Sequence, residues 1–147
     1  MNAPKNTIPP GIQPYLFFDG RCEEALTFYK TALGAEIIAV NRFKDAPDSA
    51  GCSGSSPDKI MHATVSIRGS IILASDGQCT GKPTFNGFAL SITVRDAADA
   101  EKVFGALSQG GRVEMPLSQT FFSPRFGMLA DKFGVFWMVY VAPPSQP

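Results

Sequence analysis

The chain has 147 residues, 44% of them apolar, and its thirteen basic and thirteen acidic side chains leave no formal net charge. Because Lys and Arg are not clustered, the chain lacks the electrostatic footprint that binding to nucleic acid or to an anionic membrane requires. No apolar run is long enough to cross a bilayer and residues 1–10 hold no secretory signal, so we expect a cytoplasmic protein.

The first predicted module covers about residues 12–75 and has the order strand, helix and three strands. A flexible tail over residues 1–11 precedes it. Hydrophobic periodicity predicts strands over 14–18, 36–43, 60–68 and 70–75 and a helix over about 22–33. Gly34 is the predicted stop of that helix. The polar segment 44–58 is interpreted as a mobile loop and a candidate lid.

The second predicted module covers about residues 87–141, follows a linker over 76–86 and repeats the same order. Its predicted elements are strands over 87–94, 112–121, 126–131 and 135–141 and a helix over about 97–109. Asp96 is the predicted N-cap of this helix, and residues 142–147 form a tail. The apolar positions of the two helices correspond: Leu26, Tyr29 and Leu33 match Ala100, Val103 and Leu107. This repeat predicts an α+β fold of two tandem βαβββ modules that form a single domain with a concave sheet cleft.

Several motifs spread over residues 12–141 resemble one family. They are Pro14-Tyr15-Leu16-Phe17-Phe18, Ala25-Leu26-x-Phe28-Tyr29-x-x-x-Leu33-Gly34-Ala35, His62-Ala63, Ser75-Asp76 and Asp131-Lys132-Phe133-Gly134-Val135-x-Trp137. The chain resembles the PhnB-like branch of the vicinal-oxygen-chelate superfamily, which includes glyoxalase I, extradiol dioxygenases and bleomycin-resistance proteins. This branch is often labelled as related to a demethylubiquinone methyltransferase. The resemblance implies a homodimer, with the outward residues of the first and fifth strands as the contact.

Metal-dependent members of that superfamily bind a divalent cation with a His or Glu from the first and last strand of each module. The corresponding positions here are Pro14, Leu73, Phe88 and Met138. An alignment shifted by one residue gives Tyr15, Ala74, Ala89 and Val139. Neither set supplies the nitrogen and oxygen donors of a metal site. We therefore expect no metal and no cofactor, and a cleft floor suited to a small apolar or aromatic molecule.

Period-two alternation from those positions predicts which side chains line the cleft. The predicted ligand-binding residues are Leu16, Phe18, His62, Thr64, Leu73, Ser75, Phe88, Leu90, Phe136, Met138, Tyr140 and Arg125. The same alternation also turns Ile71 and Ile92 toward the cleft and places Trp137 on the helix side.

His62 is the only histidine of the chain and the candidate catalytic residue. An unperturbed imidazole exchanges its proton near neutral pH, so His62 is suited to act as a general base or to position a ligand by a hydrogen bond. The alternative is a half-buried histidine that ties its strand to a loop, and the absence of an identified carboxylate partner favours that alternative.

Three other polar residues have two interpretations each. Asp76 and Asp131 follow strands and are candidate carboxylate partners, but each lies near a glycine, where Asp more often closes a turn. Arg125 is suited to clamp an anionic group of a ligand; a solvated loop arginine is the alternative.

Sequence signatures of several enzyme classes are missing. No Gly-x-Gly-x-x-Gly follows a strand, so a dinucleotide or Rossmann-type S-adenosylmethionine site has no binding loop, and neither a Gly-x-Ser-x-Gly elbow nor an HExxH pair is present. Cys22, Cys52 and Cys79 are odd in number and include no Cys-x-x-Cys pair, so we expect free thiols.

Three functions are compatible with these observations. The first is a protein that binds a small apolar or aromatic metabolite in a metal-free cleft. The second is an enzyme of the same fold that uses His62 for proton transfer on a carbonyl or phenolic compound. The third is a metal-dependent lyase or dioxygenase with non-inherited ligands, His62 together with Asp76 or Asp131.

Overall fold

The computed structural model describes residues 8–46, 57–77, 79 and 82–143, which hold two α-helices and eight β-strands. The first five elements are β1 (Tyr15–Phe17), α1 (Cys22–Leu33), β2 (Glu36–Arg42), β3 (Ile60–Ile67) and β4 (Ser70–Ser75). The others are β5 (Leu90–Val94), α2 (Ala97–Leu107), β6 (Arg112–Ser118), β7 (Phe126–Ala130) and β8 (Phe136–Val141). The chain divides into two compact units, Met1–Pro83 and Thr84–Pro147.

The two units have the same topology. Each holds a four-stranded sheet, with the strand orders β1-β4-β3-β2 and β5-β8-β7-β6. In each sheet the first strand pairs in parallel with the last strand of its unit, and the other pairs are antiparallel. The predicted α+β class with two βαβββ modules is therefore confirmed.

The helix ends follow the residues predicted to fix them. Gly34 ends α1 in the left-handed conformation, with φ of 69°, which a residue without Cβ adopts at little cost. Asp96 caps α2, because its carboxylate accepts a hydrogen bond from the Asp99 amide at 2.8 Å. The α1 N-terminus has no cap from Arg21 and depends on Asp76, described below.

Each helix packs its apolar face on one side of the sheet of its own unit. On α1 the buried side chains include Ala25, Leu26, Tyr29 and Leu33, and on α2 they include Ala100, Val103, Phe104 and Leu107. Close packing of α2 needs a glycine opposite it, since a Cβ on Gly127 would lie 2.7 Å from the Phe104 ring. Within the described ranges no helix is long and apolar enough to cross a bilayer.

All strands of the described ranges except β4, which has its predicted bounds, are shorter at one or both ends than predicted. The fifth strand begins at Leu90 and the sixth ends at Ser118, because the predicted extensions have no strand partners in the sheet. Most of the predicted loop 44–58, including the candidate lid, lies outside the described residues, and its start belongs to a 3₁₀ turn over Phe43–Asp45.

The cysteines do not all behave as expected. Cys22 is a free, buried thiol, as predicted. Cys79 is disulfide-bonded, so the prediction of free thiols is wrong for this residue. Cys52 lies outside the described residues.

Candidate functional site

The first sheet has one face packed on α1 and an opposite face, which we call the open face of unit one. Phe18 lies on the α1 side, where its ring centroid is 6.1 Å from that of Tyr29. Leu16 alternates with Phe17 and is 2% exposed. Leu16 and Phe18 therefore lie on the helix face, and the predicted orientation of the first strand is wrong by one residue. The physical reason is that both β1 faces are apolar, so hydrophobicity alone did not identify the buried one.

Side chains of β1, β3 and β4 form the open face of unit one. Tyr15 pairs with Leu73 and Phe17 with Ser75 in the parallel ladder, while Thr64 pairs with Leu73 in the antiparallel one. Residues paired across a ladder point to the same side of a sheet. The open face thus contains Tyr15, Phe17, His62, Thr64, Leu73 and Ser75. Four of these six residues were predicted for the site; Tyr15 and Phe17 were not.

A hydrogen-bonded chain of three side chains runs across this face. The Tyr15 hydroxyl lies 3.1 Å from Nδ1 of His62, and the Thr64 hydroxyl lies 3.4 Å from its Nε2. Tyr15 and His62 also contact through their rings, with centroids 5.7 Å apart. Both nitrogens of the imidazole are thus held by neighbouring hydroxyls, and the ring orientation is fixed without a carboxylate.

Tyr15 is the exposed end of this chain. Tyr15 remains 39% exposed, whereas Thr64 and Ser75 are each 4% exposed. Partial burial raises the pKa of the Tyr15 phenol, an effect that a hydrogen bond with Ser75 opposes. The phenol therefore stays protonated at neutral pH and can donate its hydrogen. Its ring stacks on that of Phe17, with centroids 4.9 Å apart and planes 26° apart.

Asp76 serves the fold of unit one. Its buried carboxylate accepts hydrogen bonds from the backbone amides of Gly20 and Cys22, both at 2.8 Å, and of Ile60 at 2.7 Å. These contacts close the α1 N-terminus and tie it to the start of β3. The turn-closing interpretation of Asp76 is thus the one that its contacts match.

In the second sheet, the predicted orientation of β5 is wrong by one residue, as it is for β1. Leu90 pairs with Trp137 and Ile92 with Val139, and all four side chains point toward α2. Leu90 and Ile92 therefore do not lie on the open face of unit two. Phe88 precedes the strand and is 44% exposed.

The last strand has the predicted orientation. Phe136, Met138 and Tyr140 alternate with buried residues and lie on the open face, and Trp137 lies on the helix face as expected. An aromatic cluster borders this face. Phe122 stacks on Tyr140, with ring centroids 6.2 Å apart, and meets Phe126 edge to face at 5.0 Å.

Arg125 and Asp131 both have side-chain partners within the second unit. Arg125 forms an ion pair with Glu101 of α2. Asp131 is buried and its carboxylate accepts hydrogen bonds from the amides of Phe133 and Val135 and from the Trp137 indole. The contacts of Asp131 match its turn-closing interpretation, whereas the ion pair of Arg125 with Glu101 is a contact that neither interpretation of Arg125 included.

The donor sets of the described residues do not fit a metal or a nucleotide cofactor. No three His, Cys, Asp or Glu side chains cluster within the described ranges. The register places Tyr15 beside Leu73 and Ser91 beside Met138 on the two open faces, and these pairs hold no imidazole or carboxylate. The carboxylates of Asp76 and Asp96 already accept an amide at each of the two helix N-termini, where an anionic cofactor would otherwise bind.

Comparison with known proteins identifies the family. Residues 10–140 match the sequence model of the family described as 3-demethylubiquinone-9 3-methyltransferase. The chain belongs to this family. Protein YjdN of Escherichia coli is 37% identical over 138 residues, covering 88% of this chain and 94% of YjdN.

Two solved structures are similar over nearly their whole length. Protein PA1353 of Pseudomonas aeruginosa is 38% identical with a TM-score of 0.77, covering 90% of this chain and 98% of that one. A protein of Bacillus cereus described as a putative 3-demethylubiquinone-9 3-methyltransferase, PhnB protein, is 32% identical with a TM-score of 0.74, covering 89% and 98%. The predicted membership of the PhnB-like branch is confirmed.

The fold is that of the wider superfamily. A glyoxylase/bleomycin resistance protein/dioxygenase domain of Frankia is 14% identical with a TM-score of 0.62, covering 93% of this chain and 98% of the domain. The family description names a methyltransferase, yet the chain has no glycine-rich loop for S-adenosylmethionine and no uncapped helix N-terminus in its described part. The residues of this PhnB-like chain thus do not fit that cofactor.

Proposed function

We propose that this PhnB-like protein binds a small apolar or aromatic metabolite on the open face of unit one, without a resident metal ion. One observation carries the proposal: the Tyr15–His62 hydrogen bond of 3.1 Å lies on a sheet face that also holds the apolar side chains of Phe17 and Leu73 and the buried hydroxyls of Thr64 and Ser75. Binding sites for small molecules are mostly apolar with a few fixed polar groups, and this face has that composition.

The exposed rings support an aromatic ligand. Tyr15 and Phe17 are 39% and 52% exposed, and they stack on one another. Such a pair presents a flat apolar surface to a third ring, and an offset or edge contact with it adds to the free energy of area burial. Leu73, which pairs with Tyr15, extends the same surface.

Amide chemical shifts of the ¹⁵N-labelled protein test this proposal, with 4-nitroanisole as a neutral aromatic probe. We expect shifts at Tyr15, Thr64 and Leu73 and none along α1. Phe17→Ala should weaken binding about tenfold, which corresponds to one good aromatic contact. Phe121→Ala, which removes a fully exposed ring from unit two, is the matched control. The proposal fails if the probe shifts no amide at millimolar concentration or shifts only the helix side.

The metal-free state has its own test. Native mass spectrometry of the protein as purified, with and without chelator, should show no mass increment of a divalent ion. An organic adduct would give the mass of the natural ligand. A chelator-sensitive increment of one ion per chain would contradict the metal-free proposal.

A second candidate function, an enzyme without metal, is favoured by the fixed orientation of His62. An imidazole held between the hydroxyls of Tyr15 and Thr64 is placed to assist proton transfer on a carbonyl or phenolic compound. The probe is hydroxyacetone in deuterium oxide, whose carbon-bound protons should exchange faster in the presence of the protein. His62→Ala should abolish this effect with an unchanged circular dichroism spectrum. Exchange that persists in the variant would rule out a role of His62.

We also propose a cytoplasmic homodimer, which the family relationship supports. Light scattering at micromolar concentration should give twice the chain mass of 15.7 kDa. A monomeric mass under those conditions would remove this part of the proposal.

A further inference from the structure

Of the three hydrogen-bonded side chains Tyr15, His62 and Thr64, Tyr15 is the one that a ligand meets first. It is 39% exposed, while Thr64, at the other end of the chain, is 4% exposed. His62 lies between them, with a hydroxyl at each of its two ring nitrogens. His62 itself is half-buried, so Tyr15 is the most exposed polar group that a ligand on the open face of unit one meets.

The protonated state of the Tyr15 phenol sets the direction of the two hydrogen bonds of His62. A protonated Tyr15 has one hydrogen, and we assign it to the bond with Nδ1 of His62. The proton of the neutral imidazole is then on Nε2, which can donate a hydrogen bond to the Thr64 hydroxyl. The Tyr15 oxygen has two lone pairs; the Ser75 hydroxyl is placed to donate to one of them, which leaves the other for a ligand. The open face thus offers an acceptor, and it calls for a ligand that donates a hydrogen bond.

The charged side chains of unit one disfavour an anionic ligand at Tyr15 and His62. Three basic side chains of unit one are already engaged elsewhere: Arg21 with Glu24, Arg42 with Glu23, and Lys59 with the Gly20 carbonyl. In the described part of the chain, no Lys or Arg donates to Tyr15 or His62. A permanently charged carboxylate or phosphate would therefore lose hydration without gaining a cation.

We propose that Tyr15 binds the acidic hydroxyl of an aromatic ligand and relays its proton to His62. This inference rests on the proposed binding function and names its ligand class, aromatic compounds with a hydroxyl that ionises near neutral pH. In the relay the ligand O–H bond breaks as a new O–H bond forms on Tyr15, and the original Tyr15 O–H bond breaks as an N–H bond forms at Nδ1. The products are a ligand phenolate, a neutral Tyr15 and an imidazolium, so net charge is conserved and no electrons are transferred.

Absorbance titration with 4-nitrophenol tests the relay, because only its phenolate absorbs strongly in visible light. Near the pH at which the free probe is half ionised, where an ordinary imidazole is still largely neutral, added protein should increase the phenolate band. This corresponds to an apparent affinity for the phenolate form about tenfold above that for the neutral form. 4-Nitroanisole, which lacks the hydroxyl, should bind about tenfold more weakly than 4-nitrophenol.

Substitutions separate the contribution of Tyr15 from that of His62. Tyr15→Phe should reduce the affinity for 4-nitrophenol to that for 4-nitroanisole. His62→Gln keeps a hydrogen-bonding side chain but cannot take up a proton, so the probe should bind without the phenolate band. Tyr29→Phe, which removes a phenol hydroxyl from the helix side of the same unit, is the matched control and should behave as the parent protein.

The outcomes distinguish the failure of each idea. If neither probe binds, the proposed binding function fails. If both probes bind equally and no phenolate band appears, binding stands and the relay is overturned. A phenolate band that persists in His62→Gln would also overturn the relay, since the proton would have another acceptor.

Discussion

The Trp137 indole donates a hydrogen bond of 2.9 Å to the Asp131 carboxylate, and both side chains are buried. These two residues bracket the Asp-x-Phe-Gly-Val-x-Trp motif that most resembles the family. The other carboxylate oxygen accepts the amides of Phe133 and Val135, so the motif forms a turn closed by one carboxylate. The motif thus has Asp and Trp at its ends because these two residues form the hydrogen bonds of the β7–β8 turn.

Replacing Asp131 with Asn should destabilise the fold. An amide N–H₂ would face either the Trp137 indole or the turn amides, placing donor against donor in a buried site. We expect a loss of about 1–3 kcal/mol in the free energy of unfolding, measured by urea denaturation with circular dichroism. Asp96→Asn is the matched control, because Asn caps a helix as well as Asp does. Equal stability of the two variants would show that the indole contact contributes nothing.

Replacing Asp76 should lower the free energy of unfolding more than replacing Asp131. Asp76→Ala leaves the amides of Gly20, Cys22 and Ile60 without their carboxylate in a buried region. We expect a loss of at least about 3 kcal/mol, since each unsatisfied buried donor costs about 1–3 kcal/mol. Asp45→Ala removes an exposed carboxylate that accepts one amide, from Arg42, and should cost clearly less. A change within 1 kcal/mol at Asp76 would contradict the structural role given to it.

The sequence predicted the helices well because their ends have local causes. Gly34 and Asp96 act through their own backbone and side chain, and α1 was predicted with its observed bounds. The face of β1 was predicted wrongly because its direction is set by pairing with β4, far along the chain. Tyr15 was missed as a site residue for the same reason, since its proximity to His62 arises from the tertiary fold alone. The parallel pairing of a first strand with its module's last strand is the signal that could have located it.

Gly111 should not tolerate a side chain. A Cβ there would lie 2.2 Å from the Ala130 carbonyl oxygen, which is backbone and cannot rotate away. Gly111→Ala should therefore lower the free energy of unfolding by about 1–3 kcal/mol, as overpacking does. The control is Gly105→Ala, in the exposed middle of α2 with open space around it, which should raise stability by about 0.5–1 kcal/mol. The same sign for both variants would show that the β6–β7 contact at Gly111 is looser than described.

Stability should fall in alkaline solution because of Cys22. Burial raises the pKa of the Cys22 thiol, and the nearby Asp76 and Glu23 carboxylates raise it further. Above about pH 8.5 the unfolded chain loses this proton while the folded chain keeps it, so the folded state binds more protons and stability decreases as pH rises. The slope of this contribution approaches about 1.4 kcal/mol per pH unit. Urea denaturation between about pH 7.5 and 9.5 should show this slope in the parent protein and its loss in Cys22→Ala, which keeps a small apolar side chain at the site. Parallel pH profiles of the two proteins would mean that the thiol titrates alike in both states.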